Sequence, residues 1–365
     1  MFNLRKLSLR NYDWYLIGAV LLLTIIGGIA IYSIDLSRGE SLLLFKKQMI
    51  SASIGFFLLI TASLAQYNLW RNLAKWWYLF SIVILMLVLF FGQTIRGTRS
   101  WFSLMGFSFQ PVELAKAGLI LILAYSISHF GRRFDRPLFF YGTGFISFLS
   151  VALVIIQPDL GSAILLCMIW FGLMLVVGAR RLHILTTILL VIFVSVFGWF
   201  FFLKDYQKER LAVFVDPGRD PLGSGYNLTQ SMIAVGAGKL GGRGLGFGSQ
   251  SQLHFLPEAQ TDFIFAVIGE ELGFAGVSSM LILFAVIFWR LIVIIKNSKD
   301  DFVAITAAGI LILFVVQFFT NIGANIGLLP ITGVTLPFVS YGGSSLIVSL
   351  LLIGILQSMI AVKKH

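Results

Sequence analysis

The chain is predicted to be an all-α polytopic membrane protein. It should have ten transmembrane helices, a long extracytoplasmic loop between helices 7 and 8, and a re-entrant segment before helix 10. Three observations carry that reading. Of 365 residues, 58% are hydrophobic and only 12% charged, against roughly 25% charged in an ordinary soluble domain. The apolar residues gather in ten runs close to the length that crosses a bilayer, which is about 20 residues. Short polar turns separate most runs, and one connection, about 204–261, is long. Lipid would cover the outer faces, so the size limits of aqueous cores do not apply and 1–365 reads as one domain.

The first run follows a basic flank (MFNLRKLSLRNYDW) and ends without an A-x-A-like exit, so it reads as a retained span rather than a cleaved signal. The spans are expected near 14–34, 46–65, 73–92, 112–129, 139–157, 159–178, 183–203, 262–295, 303–324 and 344–362. The eighth is long enough to tilt strongly or to project beyond the bilayer. One set of ends carries Arg5, Lys6, Arg10, Arg71, Lys75, Arg132, Arg133, Arg136, Arg180, Arg181, Arg290, Lys296, Lys299, Lys363 and Lys364. The positive-inside rule makes that side, and both termini, cytoplasmic. The overall split is only about 15 basic residues to 12, but the rule discounts long loops.

Several function classes are excluded. The net charge of +11 is dispersed among loops rather than striped on a face, which suits topology and anionic lipid, with no nucleic acid as partner. Cys167 stands alone in an apolar run and makes neither an internal disulfide nor a metal site. Histidines 129, 183, 254 and 365 are scattered, so no zinc constellation arises. No G-x-S-x-G elbow occurs, and neither an internal repeat nor an inverted pair of broken helices is evident.

The unusual polar residues collect on the outer face. In RGTRSWFSLMGFSFQPVELAK, Arg96 to Lys116, Glu113 and Lys116 stand three apart just after Pro111. That spacing places acid and amine on one helix face, and charges at membrane depth are functional candidates. A snorkelling lysine with a helix-start glutamate is the plainer alternative, and Trp101 reads as an interface aromatic. In QPDLGSA, Gln157 to Ala163, Pro158 and Asp159 also make an ordinary helix start.

The long loop turns at Asp216-Pro217 and Asp220-Pro221. Leu228 to Ala237 has the makings of a short amphipathic interface helix. In GKLGGRGLGFG, glycines interleave with Lys239 and Arg243. Such backbone can approach a phosphate while the basic side chains add charge, although a flexible turn explains it too. It matches neither a P-loop nor a dinucleotide fingerprint.

FLPEAQTDFIF, Phe255 to Phe265, sets Glu258 and Asp262 at the entrance of the eighth span. Thr261 is the expected cap, and Glu270 and Glu271 follow two turns on, about 12–14 Å deeper. Carboxylates there need a polar cavity or a partner such as Lys116, so this span is expected to line an outward cleft. A carboxylate on its rim suits a general base. Asn321 to Leu346, which includes Ser344, breaks the apolar pattern with Gly, Pro and Ser. It reads as a re-entrant segment completing that cleft.

Five stretches in order resemble one family: QPVELAK, QPDLGSA, DPGRDPLGSGYNLTQS, FLPEAQTDFIFAVIGEELG and LLPITGVTLPFVSYGGSSL. That family is SEDS (shape, elongation, division and sporulation), and the RodA type is the most similar, because Asn227 stands where division-type relatives more often have Gln. The resemblance spans essentially the whole chain. It implies a ten-span peptidoglycan glycosyltransferase of the bacterial inner membrane, polymerising lipid II beside a class B penicillin-binding protein transpeptidase. It further implies that Asp262 is catalytic and that Glu113 and Lys116 line the cavity. Arg99, Lys116, Lys239 and Arg243 would neutralise the departing phosphates, while Gln157, Asp159, Glu258, Glu270 and Ser344 complete the cavity set. A divalent cation, Mg or Mn, would sit on the substrate pyrophosphate without a dedicated protein cage. Val112, Gln260 and Ser100 depart from the usual serine, histidine and arginine, but no carboxylate is lost. The rival readings are a flippase for lipid-linked saccharide, a scaffold for the transpeptidase, and a division-type member of the family. Charges crowded on one face favour the enzyme over a transporter, which would place them near the midplane.

Overall fold

Each apolar run folds as a helix, because backbone in hydrocarbon must satisfy its hydrogen bonds within its own segment. In the computed structural model the helices are α1 Trp14–Ser37, α2 Leu43–Leu64, α3 Tyr67–Phe91, α4 Pro111–Phe130, α5 Pro137–Ile156, α6 Leu160–Val177 and α7 Arg181–Phe201. After the long connection come α8 Ser224–Ala237, the single turn α9 Ser249–Gln252, α10 Ile264–Asn297, α11 Asp301–Asn325 and α12 Gly343–Ala361. Ten of these are long and apolar enough to cross a membrane, and the chain is a multi-pass membrane protein. The structure describes residues 12–37, 39, 42–95, 97–104, 107–130, 136–201, 208, 212–214, 216, 223–253 and 255–361. Arg5, Lys6, Arg10, Arg96, Arg132, Arg133, Lys363, Lys364, His254, His365, Pro217, Asp220 and Pro221 lie outside the described residues.

α4 and α12 are buried along most of their length and form the centre of the bundle, whereas α7 is almost wholly exposed. Small residues let the helices approach closely. A Cβ on Gly354 of α12 would lie 2.5 Å from the Leu59 carbonyl of α2.

The two ends of the bundle differ. At one end Asp13, before α1, takes the guanidinium of Arg290, with Arg290 Nη2 at 2.8 Å from its Oδ2. The backbone N–H of Asp13 donates to Gln357 Oε1 of α12 at 3.0 Å. The starts of α3 and α11 meet through Tyr67 Oη donating to Asp300 Oδ2 at 2.6 Å. The described termini of the chain therefore share this end. The opposite end holds the last turn of α1, where Asp35 Oδ2 accepts from the backbone N–H of Phe45 at 2.9 Å, together with the connections into α4, α6, α10 and α12.

Two features there depart from a bare helix count. Between α3 and α4 runs a small antiparallel sheet, β1 Gln93–Ile95, β2 Thr98–Leu104 and β3 Phe107–Phe109, in the order β1-β2-β3. Phe102 pairs with Phe109, and Gly97, at φ 80°, turns the chain between β1 and β2. This is strand structure where only a polar loop was expected. The second feature is a break inside α10, at Gly273, whose φ is 63° and ψ −160°. The long eighth span is thus a short segment up to Leu272 joined to a second that begins at Phe274. Residues 326–342, where a re-entrant segment is predicted, form an irregular connection whose later part, 334 and 336–340, is buried on protein. A Cβ on Gly27 of α1 would overlap the Val339 carbonyl.

Candidate active site

The turn before α10 carries Asp262, and every backbone carbonyl from 260 to 262 is held by another element. The Tyr341 N–H donates to Gln260 O at 2.8 Å. Ser340 Oγ donates to Thr261 O at 2.7 Å. The Asp262 carbonyl accepts twice from α11, from Asn321 Nδ2 at 3.1 Å and Asn325 Nδ2 at 2.8 Å. Glu258 organises the same turn from within. It adopts φ 57°, its carbonyl accepts from the N–H groups of Thr261 and Asp262, and its Oε2 accepts from Gln260 Nε2 at 3.0 Å. α10 begins only at Ile264, and the Thr261 hydroxyl turns back to Glu258 O rather than capping it.

Asp262 is half-buried and lines a notch shared with Phe263, Thr320, Asn321, Ala324 and residues 331–334. The notch is shallow, with a cavity volume of about 10 Å³. A carboxylate on an immobilised backbone at an open notch is placed as a general base requires, within reach of a proton donor that enters the notch.

A brace ties this notch to three other elements. Asp159 is the N-cap of α6, its Oδ1 accepting from the Ser162 N–H at 3.0 Å. Its Oδ2 accepts from Gln110 Nε2 at 3.0 Å. The Gln110 N–H donates to Ser344 Oγ, which donates in turn to Ser108 O. Ser344 and Asp159 therefore join the sheet, α6 and α12. The start of α6 abuts the notch lining, since a Cβ on Gly161 would lie 2.7 Å from Thr332 O. On α4, in the turns after Gln110, Lys116 Nζ meets Glu113 Oε1 at 2.8 Å with both side chains buried. Pairing of acid and amine offsets the cost of placing them in that surrounding. Gln157 donates from Nε2 to Leu85 O of α3 at 3.1 Å, tying α5 to α3.

The glycine-rich run does something the sequence did not announce. Where α10 breaks, the carbonyls of Glu270 and Glu271 lose their helical partners, and so do the N–H groups of Phe274 and Ala275. The run threads through the gap and replaces them. Arg243 N–H donates to Glu270 O at 2.9 Å and Gly244 N–H to Glu271 O at 3.0 Å. Phe274 and Ala275 N–H donate to the carbonyls of Lys239 and Leu240 at 2.9 and 3.1 Å. Only glycine fits the crossing: a Cβ on Gly238 would overlap Gly269 O, on Gly242 it would overlap Glu271 O, and on Gly273 it would overlap Gly242 N.

The amides expected to approach a phosphate are thus occupied by protein. Gly242 N–H bonds to Gly238 O, and Gly246 N–H bonds to Ser33 Oγ. The side chains of Lys239 and Arg243 stay exposed, with Arg243 Nη1 on Ser249 Oγ at 2.7 Å. Glu270 is buried and caps the α9 turn, accepting from the N–H groups of Gln250 and Ser251 at 2.8 and 3.0 Å. Glu271 accepts from Ser33 Oγ and Gln252 Nε2 at 2.8 and 2.9 Å. Neither glutamate turns toward Lys116. Arg99, exposed in β2, donates to Phe90 O and Gly92 O at 2.8 and 3.1 Å, closing the C-terminus of α3.

α8 forms over Ser224–Ala237, four residues earlier than the amphipathic stretch suggested. It packs on protein: Ser231 Oγ donates to Asn325 O at 2.9 Å. The structure so brings Asp262, Glu258 and residues 331–334 together, braces them through Asp159 and Ser344, and uses Glu270 and Arg99 elsewhere. Asn321, Asn325 and Gln110 were missed. Gln317, Asn321 and Asn325 recur every four residues on one buried face of α11. Carboxamides at helical spacing inside an apolar run were the available signal. Among the described residues, no group of three or more His, Cys, Asp or Glu is placed to hold a metal.

The model of the FtsW/RodA/SpoVE cell cycle protein family matches residues 13–365. The chain belongs to this family. Stage V sporulation protein E of Bacillus subtilis (strain 168) is 37% identical over 359 residues, covering 95% of this chain and 96% of that one. Peptidoglycan glycosyltransferase MrdB of Escherichia coli (strain K12) is 36% identical over 327 residues, 88% of this chain and 87% of that one. Among solved structures, a chain reported under "Structural coordination of polymerization and crosslinking by a peptidoglycan synthase complex" matches with a TM-score of 0.82 at 31% identity. That match covers 96% of this chain and 97% of the other. The rod shape determining protein RodA of Thermus thermophilus matches with a TM-score of 0.73 at 27% identity, over 97% of this chain and 98% of that one. The ten-helix fold of this family member is therefore one already seen in its relatives.

Proposed function

We propose that the chain is a peptidoglycan glycosyltransferase that polymerises lipid II at the outer face of the bacterial inner membrane during elongation. The single observation that carries the site is Asp262: a half-buried carboxylate whose backbone α11 holds at two points, at the open notch of the bundle. The names borne by MrdB and its relatives support the reaction class, and Asn227 supports the elongation type.

Orientation follows from charge. Arg71, Lys75, Arg180, Arg181, Arg290, Lys296 and Lys299 sit toward the end opposite Asp262, which the positive-inside rule makes cytoplasmic. The partner is a class B penicillin-binding protein transpeptidase, a reading supported by the similarity to a chain from a peptidoglycan synthase complex.

In the reaction, Asp262 takes the proton of the 4-hydroxyl on the acceptor N-acetylglucosamine. The oxygen attacks the anomeric carbon of the donor muramyl unit, forming the new C–O bond as the bond to phosphate breaks, with inversion. Undecaprenyl pyrophosphate departs with the bonding electrons. The exposed cations Lys239 and Arg243 supply positive charge on that side of the bundle.

The purified chain with its transpeptidase, given labelled lipid II, should make glycan polymer, and Asp262→Asn of intact fold should make none. Equal polymer from both would remove Asp262 as the base. Absence of polymer from either, alongside lipid movement in a flipping assay, would replace the transferase with a flippase.

A further inference from the structure

Two carboxamides hold the Asp262 carbonyl, and they are not equivalent. Asn325 is complete: its Nδ2 donates to Asp262 O and Asn321 O, and its Oδ1 accepts from the Ala266 N–H at 3.2 Å and from Ser231 Oγ at 3.3 Å. Asn321 is not. Its Nδ2 donates to Asp262 O at 3.1 Å and Val334 O at 2.9 Å, which uses both amide hydrogens and leaves the other atom as the oxygen. That Oδ1 is buried and meets no donor among the described residues. The residue is 2% exposed and lines the same notch as Asp262.

Buried acceptors in folded proteins are almost always paired. Among the described residues several buried side-chain atoms lack a partner, and Asn321 Oδ1 is the carboxamide oxygen among them whose residue shares the notch with Asp262. That place points to a donor from outside the chain. We propose that Asn321 Oδ1 recognises the acceptor sugar, accepting a hydrogen bond from the hydroxyl vicinal to the one that Asp262 deprotonates. The inference rests on the glycosyltransferase reading above and names a specificity residue within it.

The chemistry fits a pair of neighbouring hydroxyls. Asp262 and Asn321 line one notch, tied by the hydrogen bond from Asn321 Nδ2 to the Asp262 carbonyl, and the Asn321 oxygen is the buried acceptor beneath it. The 4-hydroxyl of N-acetylglucosamine gives its proton to the carboxylate. The adjacent 3-hydroxyl keeps its proton and donates to a carboxamide oxygen, which is too weak a base to remove it. A muramyl unit carries an ether at the corresponding oxygen and has no proton to donate there. Asn321 thereby favours glucosamine over muramyl sugar in the acceptor position.

The test uses lipid II with fluorine in place of the glucosamine 3-hydroxyl, which keeps the shape and removes the donor. Wild type should prefer native lipid II by roughly tenfold to a hundredfold in kcat/KM. Asn321→Ala should use both lipids with a ratio within about twofold. Asn325→Ala should lower kcat for both lipids and keep the wild-type ratio, because it loosens the hold on Asp262 and leaves the Asn321 carboxamide oxygen in place. An Asn321→Ala enzyme that retains the wild-type ratio, or a wild type that does not discriminate, overturns the proposal. If Asn321→Ala is too slow to assay, equilibrium binding of the two lipids to it and to wild type gives the same ratio. Failure of wild type to polymerise native lipid II would strike the underlying reaction instead, and is separately visible.

Discussion

Asn325 donates from Nδ2 to the main-chain carbonyl of Asp262 at 2.8 Å, across 63 residues of sequence. The bond makes the position of a carboxylate in the turn before α10 depend on the neighbouring helix α11. Asn325→Ala leaves the Ala266 N–H short of an acceptor, while Ser231 keeps the Asn325 main-chain carbonyl and Asn321 still holds Asp262. We expect a loss of about 1–3 kcal/mol in stability and roughly a tenfold to hundredfold loss in kcat from misplacing the base. Thermal unfolding in detergent and a polymerisation rate on the same preparation measure the two losses.

The buried Glu113–Lys116 pair should behave asymmetrically. Removing one partner strands the other charge inside the bundle, at about 3–5 kcal/mol. Lys116→Met alone should therefore unfold earlier than the double variant Glu113→Gln/Lys116→Met. Both should be inactive if the pair serves the reaction. A double variant no more stable than the single would show that the stranded charge is not what destabilises.

The break in α10 makes a steric prediction. Gly273→Ala must place a Cβ against Gly242 N at a left-handed φ, so folded yield should collapse. Gly236 lies on α8 with nothing near its would-be Cβ. Gly236→Ala should raise stability by about 0.5–1 kcal/mol through helix propensity. Size-exclusion profiles and unfolding midpoints of the two variants form a matched pair.

Arg99 offers a test of what its guanidinium serves. Its hydrogen bonds go to the last carbonyls of α3. Arg99→Ala should speed hydrogen exchange around residues 88–95 and leave the KM for lipid II within about twofold, since exposed charge alone contributes little. A tenfold rise in KM without faster exchange would instead place the side chain on substrate phosphate.

Much was legible beforehand. Hydropathy is a local property, so ten spans could be read from composition in windows, and each lies within six residues of an observed helix start, as with 73 against Tyr67. Charges are costly in hydrocarbon, so Glu113, Lys116 and Asp262 stood out by their cost before any contact was known. The sheet was hidden because its strands are short and lie beside a loop full of glycine and serine. The glycine run misled for a related reason: glycine reports that backbone must come close to something, without saying to what. Here the neighbour is the broken helix, and the nearest carbonyls belong to Glu270 and Glu271.

By itself, then, the sequence determined the number of spans and the carboxylate to examine first. Those follow from the transfer of individual residues between water and lipid. The tertiary structure alone decided which carboxylate is held at an open notch, which is bound as a cap, and which of the two asparagines on the Asp262 carbonyl keeps an oxygen unpaired. Hydrogen-bond partners such as Asp262 and Asn325, or Ser33 and Glu271 at a separation of 238 residues, are set by how the helices pack, and no local pattern records that.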